Sequence, residues 1–537
     1  MNMFKTLKDI NMKKIILVLI SALMVLASCE KTEFEKSYAD PSKISVTMVE
    51  KQFTGFLQSN LGYVMPDYWN YFVVHRITSN RWTQSVGWVN ATAQYVPGSG
   101  AVNDRWGNYY NFLAQYREFE NVFKELPEAE KTLKRIYVIA ATIYLYDHTQ
   151  KVVDLHGDIP FSEAGKMSEN GGDYKISLPK YDNADAIYTK MLDDLKAFSD
   201  ELNSINVSAG ILTGFKTADF VNKGDLAKWK KYCNSLRLRL LTRVSGASAF
   251  QARATSEITA ILGNPTNYPI LAANSENIQI NVHDLTSPIH SKNFRTGLED
   301  WDGNFAGKVM IDYMNTNTDP RLRVMFQPGT DAAGAYFGID PMMNSSAQNA
   351  FILTNKVSRY NWSTLSRNQF FPGVLINTPE VNFLVAEAYL NANNDTKAKE
   401  AYEAGISNSV KYYYLLRSVS NNNESGTVTP ATDAEIADYI AKDQVSWSKA
   451  TTKDAKLKLI ATQKWIHFSV VQPLENWSEV RRLDYPAFSF EVDQSDAQKQ
   501  PPYRWQYPDS EKTYNKDNYA TVSAKDKITN KVFWDVK

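Results

Sequence analysis

Tryptophans set beside amides, arginines and carboxylates are the residues of this chain best suited to holding a ligand. Asp67-Tyr68-Trp69, Asn80-Arg81-Trp82 and Trp88 form one such group. Asp300-Trp301-Asp302-Gly303-Asn304 forms a second, with Asn361-Trp362 in reserve. Flat rings offer a large, rigid contact area, and polar neighbours can grip what lies on them. Catalytic motifs are missing. There is no His-Glu-x-x-His, no Gly-x-Ser-x-Gly and no phosphate loop. The six histidines (His75, His148, His156, His283, His290, His467) lack metal-ligand spacing. His148 and His156 flank Asp154, where packing at a helix end is favoured over a metal. With 59 acidic residues, many carboxylate pairs can be drawn, and only their separation in space would distinguish a hydrolytic pair. Asp302-Gly303-Asn304 is a turn signal rather than a calcium loop. The chain is therefore expected to be no enzyme and to hold no metal or other cofactor. A structural calcium stays open, with no motif for one.

Composition narrows the partners. The 59 basic and 59 acidic residues balance, which argues against nucleic acid. The 12 Trp, 30 Tyr and 25 Phe exceed what a core alone would call for, so some should line a recognition surface.

The N-terminus predicts export. Met12-Lys13-Lys14 is the natural opening, the apolar run Ile15 to Leu26 follows, and Leu26-Ala27-Ser28-Cys29 closes it. The run is shorter than the roughly 20 residues that span a bilayer. The arrangement looks like a bacterial lipoprotein signal, which implies cleavage before Cys29 and lipidation of that cysteine. Several acyl chains together anchor durably. The polar stretch after Cys29 reads as a tether, and its acidic residues resemble those of surface-exported lipoproteins of the Bacteroidetes type. The expected organisation is a signal peptide over 1–28, anchor and tether over 29–45, and one helical domain over 46–537. Cys233, the other cysteine, sits on an apolar helical stripe and reads as a small buried hydrophobe.

Positioning falls to helices, so the fold is expected to be mainly α. Apolar residues recur at helical spacing over Leu133–Val153, Ala184–Leu202 and Asp225–Val244. The last also carries Lys228, Lys230, Lys231, Arg237, Arg239 and Arg243, read as a solvated or internally paired set. Thr378 to Tyr413 reads as one tetratricopeptide-type hairpin turning at Asn391–Asp395. Asp302–Gln369, and Tyr485 to the end, read as long loops with short strands, where binding usually sits.

Several stretches, in order, resemble the SusD/RagB family of outer-membrane lipoproteins. They are Asp154-Leu155-His156-Gly157-Asp158-Ile159-Pro160-Phe161-Ser162-Glu163-Ala164, Pro179-Lys180-Tyr181-Asp182, and Gly224-Asp225 through Lys228-Trp229 to Asn234-Ser235-Leu236 and Arg239. Asp319-Pro320-Arg321, Ala386-Glu387-Ala388 and Glu475-Asn476-Trp477 through Arg481-Arg482 complete the set. Phe161 stands where the family motif has Tyr. Read physically, these motifs are scaffold: Asp158 and Glu163 cap or pair, Trp477 anchors a helix, and Arg481 and Arg482 can fork to carboxylates.

The resemblance implies a SusD-like fold with tetratricopeptide-like helical hairpins supporting a loop-rich, ligand-binding side. It implies attachment to outer-membrane lipid through Cys29, exposure at the cell surface, a SusC-like TonB-dependent transporter as partner, and a glycan as ligand. The alternatives are a peptide-binding member of the same fold and a surface hydrolase. For a glycan, Trp82, Trp88 and Trp301 are the expected stacking platforms, with Asn80, Arg81 and Asp302 as polar grips.

Overall fold

The sequence's helical stripes are buried against one another in the structure, a computed structural model that describes residues 47–495 and 498–537. The expected signal peptide over 1–28, and the anchor and tether over 29–45 with Cys29, lie outside the described residues. Val49–Lys537 forms one compact unit. Its long helices are α1 (Val49–Gln58), α2 (Ser99–Lys124), α3 (Arg135–His156), α4 (Ala184–Glu201), α5 (Leu226–Val244) and α6 (Gln251–Gly263). They continue with α7 (Thr378–Asn391), α8 (Asp395–Ser418), α9 (Lys453–Phe468) and α10 (Pro473–Leu483). The three helices expected between 133 and 244 form within three residues of their predicted ends. Asp225 caps α5 by accepting from the Lys228 amide. No helix among the described residues is long and apolar enough to cross a membrane.

The hairpin expected at 378–413 forms as α7 and α8. Asn377 and Asn394 cap the two helices, and Pro379 sits in the first turn of α7, where its missing N–H costs nothing. Gly405 lets the pair close. A Cβ there would lie 2.5 Å from the Phe383 ring. Further pairs that the sequence did not reveal are α4 with α5 and α9 with α10.

The family-like motifs meet in a buried ionic network joining five helices. From α5, Arg239 reaches Glu380 of α7 at 2.5 Å and Asp147 of α3 at 2.9 Å. Arg243 reaches Asp154 at 2.7 Å and Glu475 of α10 at 2.6 Å. Lys464 of α9 and Arg482 of α10 both bridge Glu387 and Glu479. Arg482 and Lys464 beside Glu387 hold its carboxyl at about 2 against the opposing effect of burial. Such a network constrains how helices register more than it adds net stability. Of the basic residues of α5, Arg239 and Arg243 are paired within this network, and Arg237 and Lys231 pair outside it, with Glu257 and Glu276. Arg481 departs from expectation. It stacks on Trp477 at 3.6 Å and donates to the carbonyls of Tyr503 and Asp154, not to a carboxylate. Asp158 accepts from the first amide of α4, and Glu163 accepts from the Lys180 amide. Cys233 is buried, and burial pushes its thiol up to about 12, as suits a small hydrophobe.

Sheet is scarce among the described residues. There are three two-stranded antiparallel pieces: β1 (Ile159–Pro160) with β2 (Tyr181–Asp182), β3 (Ile278–Ile280) with β6 (Gly373–Ile376), and β4 (Phe326–Gln327) with β5 (Arg359–Tyr360). Two regions read as loops with strands are more helical than expected. Lys308–Thr316 and Ser345–Ile352 are helices, the first because Met310, Ile311 and Met314 make a buried face, the second because Asn344 caps it. After Tyr485 the described residues hold short helices, Asp509–Tyr514 and Lys516–Ala520, and no strand.

Candidate functional site

The site begins at a stretch of π-helix, Trp69–His75, a rare form that recurs at functional sites. Its inner face is tied down. Tyr71 is buried and donates to the Val470 carbonyl at 2.7 Å, and His75 lies against Ser79 at 3.0 Å. Burial pushes His75 down to about 3, so it is neutral at physiological pH. The outer face holds Tyr68, Phe72 and Arg76, spaced by four. The Tyr68 and Phe72 rings stack at 4.8 Å, and the Arg76 guanidinium lies 4.2 Å from the Phe72 centroid.

A second segment brings Trp301 to this face. The short helix Phe294–Glu299 lies directly on the π-helix, where a Cβ on Gly297 would come 2.8 Å from the Asp67 carbonyl. Trp301 and Asp302 follow, both at φ 56°. Two consecutive non-glycine residues in the left-handed region cost about 1–3 kcal/mol each, so the surroundings must hold them. They do. The Gly87 amide donates to the Phe305 carbonyl at 2.8 Å and the Ala306 amide to the Ser358 carbonyl at 2.9 Å. Beneath lies an apolar cluster that includes Val86, Phe294, Leu298, Ala306 and Met310. Gly303 completes the turn in a space with no room for a side chain: a Cβ would sit 2.8 Å from the Leu298 carbonyl.

The result is an exposed aromatic edge over a hollow. Trp301 is 83% exposed, with its ring edge-on to Phe72 at 6.2 Å and Arg76 at 5.8 Å. Behind it opens a cavity of about 240 Å³, walled by Arg76, Arg81, Gly87, Trp88, Trp301 and Asp302 among others. Trp69, 58% exposed, extends the aromatic face from the far side of Tyr68. Asp302 pairs with Arg359 at 3.6 Å. A larger cavity, about 360 Å³ between α2, α3 and α4, holds no tryptophan. Trp301 and its neighbours therefore offer a stacking surface that the larger cavity lacks.

Four of the six residues expected at a site converge here: Arg81, Trp88, Trp301 and Asp302. Two do not, and the role of a third changes. Trp82 is only 2% exposed and packs on Trp477 at 4.9 Å and Trp505 at 6.4 Å, so it has no free face for a sugar. Asn80, next to it in a helical turn, is buried as well. Trp88 lies between Arg81 and Phe490, and its indole N–H donates to Asn90 and Gln94, so it is a cavity wall rather than an open platform. The reserve Trp362 is covered by the Arg367 guanidinium at 3.8 Å. Phe72 and Arg76 were missed, and Tyr68 was named within its cluster but given no role. Their four-residue spacing was the available signal, since residues four apart share a helix face.

No cluster of metal-ligating side chains occurs among the described residues. His148 packs on Phe112 and Tyr144, and His156 on Trp106 and Tyr507. Burial holds both well below the ordinary histidine range.

Comparison with known proteins bears on fold and family. A family model described as SusD-like, "Starch-binding associating with outer membrane", matches residues 47–508. Among solved structures, a chitin-binding protein is 24% identical with a TM-score of 0.71, the alignment covering 91% of this chain and 100% of that one. A protein described as "Bacteroidetes AC2a SusD-like" is 21% identical with a TM-score of 0.72 and the same coverage. A SusD homologue from Bacteroides fragilis is 18% identical with a TM-score of 0.71, again at 91% and 100%. These similarities match the mainly helical architecture described above. The curated proteins yield no match.

Proposed function

The chain belongs to the SusD-like family of proteins associating with the outer membrane, and on that premise we propose that it is a cell-surface lipoprotein that binds a glycan and passes it to a SusC-like TonB-dependent transporter. The observation that carries the ligand class is the exposed Trp301 beside Phe72 and Arg76 at the mouth of a largely apolar cavity into which a few polar side chains are set. Sugar rings present C–H faces that stack on indole, and their hydroxyls need polar partners close by. Arg76, Arg81 and Asp302 line the same cavity and can supply such partners. The starch-binding description of the family and the chitin-binding relative support a carbohydrate over a peptide. Anchoring through Cys29 rests on the Leu26-Ala27-Ser28-Cys29 box. Binding rather than catalysis is the proposed activity. Trp301 is the main platform, Arg81, Arg76 and Asp302 are the grips, and Trp88 is the cavity wall.

Titration of the protein with polysaccharides, oligosaccharides and peptides, followed by calorimetry, tests this reading. Saturable binding to one glycan class is expected, weakened about tenfold by Trp301→Ala, a change of about 1.4 kcal/mol. Binding to peptides alone would overturn the glycan assignment, and release of reducing ends would overturn the non-enzymatic one.

A further inference from the structure

The cavity behind Trp301 is lined by two arginines, Arg76 and Arg81. Arg76 and Arg81 form no ion pair with a carboxylate among the described residues. The one acidic side chain that shares the lining, Asp302, is turned to Arg359. Asp300 attracts Arg76 from beyond ion-pair distance. Among the described residues, the Arg81 guanidinium makes one hydrogen bond, from Nη1 to the Gln94 carbonyl at 3.3 Å, and its buried Nε makes none. Arg76 gives one long bond from Nε to the Phe72 carbonyl at 3.4 Å. In the helical core, by contrast, Arg239, Arg243, Arg321 and Arg482 all meet carboxylates. Withdrawing a charge from water without a partner is costly, and the cost is recovered if a ligand brings the counter-charge.

Resting on the glycan-binding reading above, we infer that the ligand is an acidic glycan, whose carboxylate or sulfate oxygens are held by Arg81 and Arg76 while a ring stacks on Trp301. The guanidinium fork suits both groups, since each presents coplanar or closely spaced anionic oxygens. Burial, and then the charge of Arg76, push Arg81 down to about 10. A bound anion would relieve that repulsion.

The test uses the full chain in detergent and calorimetry with oligosaccharides of equal length. One arm carries uronate carboxylates (oligogalacturonides), one carries sulfate esters (sulfated galactan fragments), and two are neutral (malto- and chito-oligosaccharides). At least one acidic series should bind about ten- to a hundredfold more tightly than the neutral ones, the range expected of charged hydrogen bonds. That preference should shrink at about 0.5 M salt. Arg81→Gln and the more exposed Arg76→Gln should each shrink the ratio of acidic to neutral affinity, weakening acidic oligosaccharides more than neutral ones, while an unchanged circular dichroism spectrum and thermal midpoint report that the variants fold. The uronate and sulfate arms separate the two sources of charge. Neutral sugars binding as tightly as acidic ones, or a preference untouched by both substitutions, would overturn the inference and leave glycan binding standing. Absence of binding to any oligosaccharide would remove both.

Discussion

Two tryptophans in similar sequence settings have opposite fates here, and the difference is measurable. Trp301 sits on the surface at a left-handed turn, whereas Trp82 is buried between Trp477 and Trp505. Trp82→Ala should lower stability by about 3–5 kcal/mol, the usual result of emptying a buried aromatic site. Trp301→Ala should leave denaturant stability within about 0.5 kcal/mol while reducing glycan affinity. Parallel chemical denaturation of the two variants checks this. Equal losses of stability would mean that Trp301 is a packing residue. From sequence alone the two indoles look equivalent, because each stands beside amide and charged residues. Only long-range packing distinguishes them.

At the scale of elements, close approach governs where small residues are placed. Gly405 lies inside α8, where propensity alone favours alanine by about 1 kcal/mol. Yet a Cβ there would meet the Phe383 ring of α7 at 2.5 Å. Gly405→Ala should therefore destabilise, by about 1–3 kcal/mol, because overpacking outweighs propensity. A rise in the thermal midpoint would show that α7 can shift to make room. The α7–α8 hairpin itself was readable from spacing, with its caps at Asn377 and Asn394. The helix Lys308–Thr316 was not, because asparagines and a glycine around it carry loop signals. Its buried Met310, Ile311 and Met314 face owes its burial to segments distant in sequence.

For the molecule as a whole, four buried histidines set an acid limit. Burial holds His75 and His467 at about 3 and His148 and His156 well below the ordinary range. A folded-state pKa below the unfolded value of about 6.5 means that the unfolded chain binds protons first. The stability these groups contribute is complete above pH 6.5 and is lost as pH falls toward their folded values. Each histidine approaches about 1.4 kcal/mol per pH unit in that window. Glu387, held at about 2, adds to the loss below about pH 4.5. Asp154 and Glu380, raised by burial, act in the opposite sense. The denaturation midpoint should thus fall from pH 7 to pH 5, and His467→Gln should flatten that slope. A midpoint unchanged over this range would contradict neutral burial of the histidines.

Local pattern by itself determined the helices over 133–244, the α7–α8 hairpin and the family likeness carried by short motifs. Those features follow from spacing and capping, which depend on residues a few positions apart. Tertiary structure alone decided that the charges at Asp147, Asp154, Arg239, Arg243, Glu380, Glu387, Lys464, Glu475, Glu479 and Arg482 meet in one network. It also decided that Trp301 faces Phe72 and Arg76 across more than 200 residues of chain, while Trp82 turns inward. Which face of an aromatic remains open depends on what other segments cover it, and no short stretch of sequence contains that information.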